Sequence, residues 1–217
     1  MINLTVNKAP LLYAITNRAM HPQITLKDAC IAAIDAGISL LQLRDKLAGK
    51  EEIVKLAEEL LPLCREKKVR LIINDNPEIA KNSGADGVHL GQSDMPCIKA
   101  RNMLGINSII GVTAKTIDEA KSAENDGADY IGCGRLFSTE TKPDAIPISI
   151  DLLNKISSEV NIPVFAIGGI NQDNIRALKT ANVAGFAISE GIFNCASDDT
   201  DEIKRNVAKL QEAISEF

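Results

Sequence analysis

The sequence predicts an α/β fold, a (β/α)8 TIM barrel built as one domain over residues 1–217. Three observations point there. Eight short runs are almost continuously apolar, as strands of a parallel sheet covered on both faces are. Helical patterns lie between them, and eight such pairs in about 200–250 residues is the count of this barrel. An open doubly wound sheet is the alternative. It is disfavoured because no GxGxxG follows the first run.

The elements follow in order along the chain. LLYAIT (11–16) is the first strand, followed by a weak helical segment at 25–36. LLQLR (40–44) is the second, followed by a helix over 49–67. Ile53, Leu56, Ala57, Leu60 and Leu61 form its apolar stripe, and Lys67-Lys68 ends it. LIIND (71–75) and GVHLG (87–91) are strands three and four, each before a short helix, at 77–82 and 96–104. IIGVT (109–113) is followed by a helix over 116–126, with Thr116 and Glu119 spaced as a capping box. YIGCG (130–134) leads into the long loop 135–148 and a helix at 149–159. VFAIGG (164–169) precedes a helix over 171–181 with Ile175 and Leu178 inward. GFAIS (185–189) precedes the last helix, 199–215, with the stripe Ile203, Val207, Leu210 and Ile214. GADGVHLG (84–91), GADYIGCG (127–134) and NVAGFAIS (182–189) form a weak repeat, read as a helix end with a C-cap glycine turning into a strand.

Composition excludes several classes. With 24 basic and 29 acidic residues the net charge is -5, which argues against nucleic-acid binding through bulk charge. There is no Trp and aromatics are 3%, which argues against stacking platforms for single-stranded nucleic acid. No apolar run approaches the ~20 residues of a membrane span, and MINLTVNKAP does not read as a signal peptide. Five cysteines, none in CxxC spacing, suggest free thiols in a reducing compartment. The expectation is a soluble cytoplasmic protein with small-molecule substrates, no nucleic-acid or membrane partner, and a homo-oligomer left open.

Active sites of such barrels lie at the C-terminal strand ends, and unusual residues collect there. Arg44 and Lys46 end strand two, Asn74-Asp75 strand three, and Gln92 and Asp94 follow strand four. Thr113 ends strand five and Lys115 follows it; Ser138, Thr139, Thr141 and Lys142 follow strand six. Gly168-Gly169 end strand seven, and Ser189-Glu190 strand eight. Asp75 and Asp94, at neighbouring strand ends, could share Mg2+, which is commonly held by one or two carboxylates plus substrate phosphates. Arg44, Lys46 and Lys142 could neutralise a pyrophosphate. Gly168-Gly169 would let backbone N–H groups approach a second phosphate. Plainer readings exist: Asp75 and Asp94 both suit helix caps, and Arg44 to Lys46 suits a solvated loop. His89 reads as a satisfied core histidine.

The motifs QLRDK (42–46), IND (73–75), DGVHLGQSD (86–94), GVTAKT (111–116), GADYIGCGRLFSTETK (127–142) and AIGGI (166–170) resemble those of the thiamine-phosphate synthase family over nearly the whole chain. The resemblance implies a transferase of thiamine biosynthesis. It would join a hydroxymethylpyrimidine diphosphate to a thiazole phosphate, carboxylated or not, to give thiamine monophosphate and pyrophosphate with Mg2+. By motif, Gln42, Arg44, Lys46 and Asn74 would contact the pyrimidine diphosphate, with Leu43 and Asp45 in the same stretch. Asp75 and Asp94 would bind Mg2+. Thr113, where the family often has Ser, and Lys142 would sit at the diphosphate and act with Arg44 and Lys46 in catalysis. Thr139, Glu140, Thr141, Gly169, Ser189 and Glu190 would line the thiazole phosphate site. On length and position alone, the loop 135–148 is the candidate lid. The chain departs from the family at Glu190 (usually Ser), Lys115 (usually His) and Ile148-Ser149 (usually Gly-Leu). A thiazole tautomerase and a non-catalytic paralogue binding thiamine intermediates are the alternatives.

Overall fold

The structure is a computed structural model that describes residues 10–21, 23–139, 147–195 and 199–217. Eight parallel strands close in sequence order: β1 (Leu11–Ile15), β2 (Leu40–Leu43), β3 (Arg70–Asn74), β4 (Gly87–Leu90), β5 (Ile109–Ala114), β6 (Tyr130–Cys133), β7 (Val164–Ile167) and β8 (Gly185–Ile188). β8 pairs back onto β1, with Leu11 opposite Gly185. The barrel expected from the apolar runs is therefore the fold, and closure of β8 onto β1 leaves none of the eight strands as an edge.

Side chains separate into two layers because successive residues of a strand face opposite ways. Tyr13, Ile15, Leu40, Ile72, Ile109, Tyr130, Phe165 and Ala187 fill the barrel interior. Their neighbours, such as Leu41, Leu43, Val88, Ile110 and Ile131, pack outward against the helices. The helical layer consists of α1 (Leu26–Asp35), α2 (Lys50–Lys67), α3 (Pro77–Ser83), α4 (Cys97–Leu104), α5 (Ile117–Asn125), α6 (Ile150–Glu159), the short α7 (Glu190–Phe193) and α8 (Thr200–Ser215). The α8 stripe Ile203, Val207, Leu210 and Ile214 is buried as its spacing requires, each side chain contributing roughly 1.5–3 kcal/mol. Among the described residues no helix is long and apolar enough to cross a membrane.

The repeat has a structural meaning in two of its three copies. Gly84 (φ 69°) and Gly127 (φ 89°) adopt the left-handed conformation that ends a helix. The aspartates that follow tie the strand to its neighbour. Asp86 accepts the Leu71 N–H (2.8 Å) and Asp129 the Ile110 N–H (2.8 Å). The third copy differs: Asn182 is not left-handed, and Ala184 uses its carbonyl, which accepts from Leu11 N–H (2.8 Å).

One expected helix is absent. Residues 171–181 carry only a 3-10 turn, Ile175–Leu178. Asparagines compete with the backbone for hydrogen bonds there. Asn171 Oδ1 accepts from the N–H groups of Asp173 (2.9 Å) and Asn174 (3.2 Å), while Asn174 Oδ1 accepts from Asn171 N–H (3.0 Å). The Asn174 amide also donates to Gly169 O (2.8 Å). So residues 171–181 present no α-helix N-terminus to the Gly168-Gly169 turn.

Candidate active site

A cavity of about 340 Å³ opens at the C-terminal ends of the strands. Its position follows from the register: where the apolar inner residues stop, the next inward residues are polar.

On β2 the alternation is direct. Leu41 and Leu43 face outward, Gln42 faces in, and Arg44 continues the inward face into the cavity. Thr16, just past β1, holds this end. Its hydroxyl accepts from Arg44 N–H and donates to Arg44 O, both at 2.8 Å. The Arg44 side chain is thereby aimed into a closed space where it is 7% exposed, and its Nε has no hydrogen-bond partner among the described residues. Burial lowers its pKa, with Asp75 and Asp45 acting in the opposite direction. A buried guanidinium with an unpartnered N–H is a receptor for an anion.

The QLRDK stretch then divides. Leu43 packs among the helices. Asp45 accepts from Arg18 Nε (2.7 Å) and from Leu47 N–H (3.0 Å). Lys46 is exposed and does not line the cavity.

Asn74 lines the cavity at the end of β3. Asp75 follows in a left-handed conformation (φ 64°), inside a turn closed by Asn76 N–H donating to Asn74 O (2.8 Å). Such turns are rare and strained. Its N–H reaches across to His89 O on β4 (2.8 Å). Asp75 is not the helix cap: Asn76 caps α3, accepting from Ile79 N–H (3.2 Å). Asp94 does not cap α4 either; it accepts from Gly91 N–H (2.6 Å). So neither carboxylate serves as a helix cap. Neither lines the cavity, but each is the chain neighbour of a lining residue, Asn74 or Ser93. Among the described residues no group of three or more His, Cys, Asp or Glu could hold a metal.

The opposite wall comes from β6, β7 and β8. Gly168 (φ 101°) and Gly169 (φ 67°) line it. Their lack of a side chain is required first by the chain itself. A Cβ on Gly168 would lie 2.7 Å from Arg135 Cα, and one on Gly169 2.3 Å from Ser138 O. Phe137 N–H donates to Gly168 O (2.9 Å), locking the β6 loop onto this turn. Thr139, Ser189 and Glu190 complete the wall. The Thr139 hydroxyl donates to Glu190 Oε2 (3.0 Å), and Ser189 Oγ is buried with no partner among the described residues. Glu140, Thr141 and Lys142, with residues 140–146 of the expected lid, lie outside the described residues.

The cavity therefore gathers Gln42, Arg44, Asn74, Thr113, Thr139, Gly169, Ser189 and Glu190. Sequence reasoning gave no site role to Ile15, Arg135 or His89, which also line it. His89 is satisfied by Tyr130 and Thr113, as expected of a core histidine, yet one ring edge faces the cavity.

Comparisons with known proteins agree with this architecture. The family model for thiamine monophosphate synthase matches residues 12–192. The chain is 42% identical over 201 residues to the thiamine-phosphate synthase of Ruminiclostridium cellulolyticum, covering 93% of each. It is 39% identical over 206 residues to that of Clostridioides difficile, covering 95% of this chain and 98% of the relative. The solved thiamine phosphate pyrophosphorylase from Pyrococcus furiosus superposes with a TM-score of 0.85 at 33% identity, covering 95% of this chain and 96% of its own.

Proposed function

Because the chain belongs to the thiamine monophosphate synthase family and is a transferase of that type, we propose that it joins a hydroxymethylpyrimidine diphosphate to a thiazole phosphate, releasing pyrophosphate and forming thiamine monophosphate, with Mg2+ as cofactor. One observation carries the reading beyond family membership. Arg44 is buried with an unpartnered Nε in the same cavity as Gln42, Asn74 and Thr113. That is a preorganised receptor for a leaving anion beside groups able to read a heterocycle.

The C–O bond to the diphosphate breaks heterolytically, and its electron pair leaves with pyrophosphate. The thiazole nitrogen then gives its lone pair to the pyrimidinylmethyl carbon. Arg44 balances charge as it builds on the leaving oxygen, and Thr113, which lines the same cavity, would donate its hydroxyl to the same anion. Ile15, Ile167 and Ile170 line the cavity and exclude water that would otherwise capture the cation. No step requires a strong general base.

The donor set suits a hard cation. Asp75 and Asp94 offer carboxylate oxygens from neighbouring strand ends, and two carboxylates plus diphosphate oxygens and water make a normal Mg2+ sphere. Bound there, the ion would neutralise charge on the departing diphosphate. The thiazole phosphate would sit toward Gly169 and Ser189, with Glu190 as the unfavourable neighbour.

The test is to mix the protein with both substrates, with and without Mg2+, and to measure thiamine phosphate and pyrophosphate. Equimolar products are expected. Isomerised thiazole phosphate without coupling would instead indicate a tautomerase, and binding without turnover a non-catalytic paralogue. Asp94→Ala should abolish Mg2+-stimulated turnover; if stimulation persists, the metal assignment is wrong.

A further inference from the structure

Five polar side chains cross the barrel interior in one hydrogen-bonded line. Gln42 Nε2 donates to Tyr13 Oη (2.7 Å), and Tyr13 Oη lies 2.8 Å from Tyr130 Oη. Tyr130 Oη lies 3.0 Å from His89 Nδ1, and His89 Nε2 lies 2.9 Å from Thr113 Oγ1. Both ends, Gln42 and Thr113, line the cavity. The tyrosines between them are 1% and 0% exposed.

Counting protons gives the line a direction. A phenol has one proton. Gln42 donates to Tyr13, so the Tyr13 proton remains for Tyr130. Tyr130 then passes its own proton to His89 Nδ1. A neutral imidazole that accepts at Nδ1 carries its proton on Nε2, and donates it to Thr113. The Thr113 hydroxyl proton is left for the cavity. With the proton on Nδ1 instead, Tyr130 would donate to Tyr13, and the Tyr13 proton would have no acceptor in the line. Burial pushes both phenols above their usual range, so neither gives up its proton at neutral pH. The direction is set at Gln42: an amide turned over would accept from Tyr13 and reverse every step.

The strands make room for these rings. A Cβ on Gly111 would lie 2.0 Å from the Tyr130 ring, and one on Gly132 3.0 Å from His89 Cε1. Phenylalanines would fill the same space with no buried hydroxyl to satisfy.

We infer that Tyr13, Tyr130 and His89 are positioning residues: they hold His89 as its Nε2–H tautomer and thereby fix Thr113 as a hydrogen-bond donor to the leaving anion. Naming that anion diphosphate rests on the synthase reading; the tautomer does not.

Two measurements test this. The chain has 2 histidines, and His21 Nδ1 lies 3.2 Å from Ile24 O, so its proton sits on Nδ1. Nitrogen-15 NMR of histidine-labelled protein at pH 7.5 should show one residue of each tautomer, His89 being assigned by His89→Gln. A His89 that is Nδ1–H or doubly protonated overturns the inference, whether or not turnover is found. In the synthase assay, Tyr130→Phe should lower kcat roughly tenfold, about one hydrogen bond's worth, with KM for the thiazole unchanged. In a Thr113→Val background it should cost nothing further. Additive losses would show that Tyr130 does not act through Thr113. Should Tyr130→Phe fail to fold, the histidine pair decides: His89→Gln, which keeps an N–H near the Nε2 position, should outperform His89→Leu, and equal losses overturn the inference. Absence of any transfer by the unaltered protein defeats the synthase reading alone, and the NMR result still stands.

Discussion

Arg44→Met should stabilise the unliganded protein while weakening its hold on pyrophosphate. Methionine keeps the length and apolar stem of arginine, and the Thr16 bonds to the Arg44 backbone do not depend on the side chain. What is lost is a buried charge whose Nε lacks a partner among the described residues. An unsatisfied buried polar group costs about 1–3 kcal/mol. Loss of attraction to Asp75 and Asp45 offsets part of the gain, leaving ~1 kcal/mol net. For a chain of this size that raises Tm by about 2–4 °C. Against pyrophosphate, losing a charge-assisted hydrogen bond of about 1.5–3 kcal/mol weakens Kd roughly 10- to 100-fold. Thermal unfolding without ligand and calorimetric titration of pyrophosphate with Mg2+ read the two effects separately. A fall of several degrees in Tm with native circular dichroism would mean that the guanidinium is structural. Unchanged pyrophosphate affinity would place the leaving-group site elsewhere.

Two further outcomes follow. Glu190→Ser removes a carboxylate from the wall beside Thr139 and Ser189; relief of about 1 kcal/mol of repulsion should lower KM for the thiazole phosphate about fivefold, and a higher KM would give Glu190 a positive role in binding. The buried thiols make stability fall in alkali. Burial pushes Cys64, Cys97 and Cys195 from an ordinary 9.0 to about 11. Between pH 9 and 11 the unfolded chain loses protons that the folded one keeps, so stability is fully present below pH 9 and declines through that window. Urea midpoints at pH 8 and pH 10.5 measure it, and a midpoint that holds constant contradicts the burial argument.

The barrel was legible because its strands are short, apolar and evenly spaced, and because inward and outward positions alternate along each one. Gln42 and Arg44 could be placed on one face because Leu41 and Leu43 alternate with them. Lys46 could not, since the strand ends at Leu43 and the alternation carries on only as far as Arg44. Residues 171–181 read as a helix in the sequence because Ile175 and Leu178 have helical spacing, whereas Asn171 and Asn174 bond the backbone out of it. The polar line through the barrel was hidden for another reason: Tyr13 and Tyr130 pass as ordinary strand residues. A signal existed. They are the chain's 2 tyrosines, and a Cβ on Gly111 would collide with the Tyr130 ring. A strand glycine marks a close approach, but sequence alone does not say by what.

That polar line also bears on how the molecule can be divided. A barrel of eight βα units invites being treated as two interchangeable halves, separable after β4. Here such a cut severs the Tyr13–Tyr130, Tyr130–His89 and His89–Thr113 bonds, leaving only Gln42 with Tyr13 inside one fragment. Each half would carry polar groups whose partners lie on the other. The halves are therefore not modules: neither fragment contains a finished floor, and the two become complementary only when they close together.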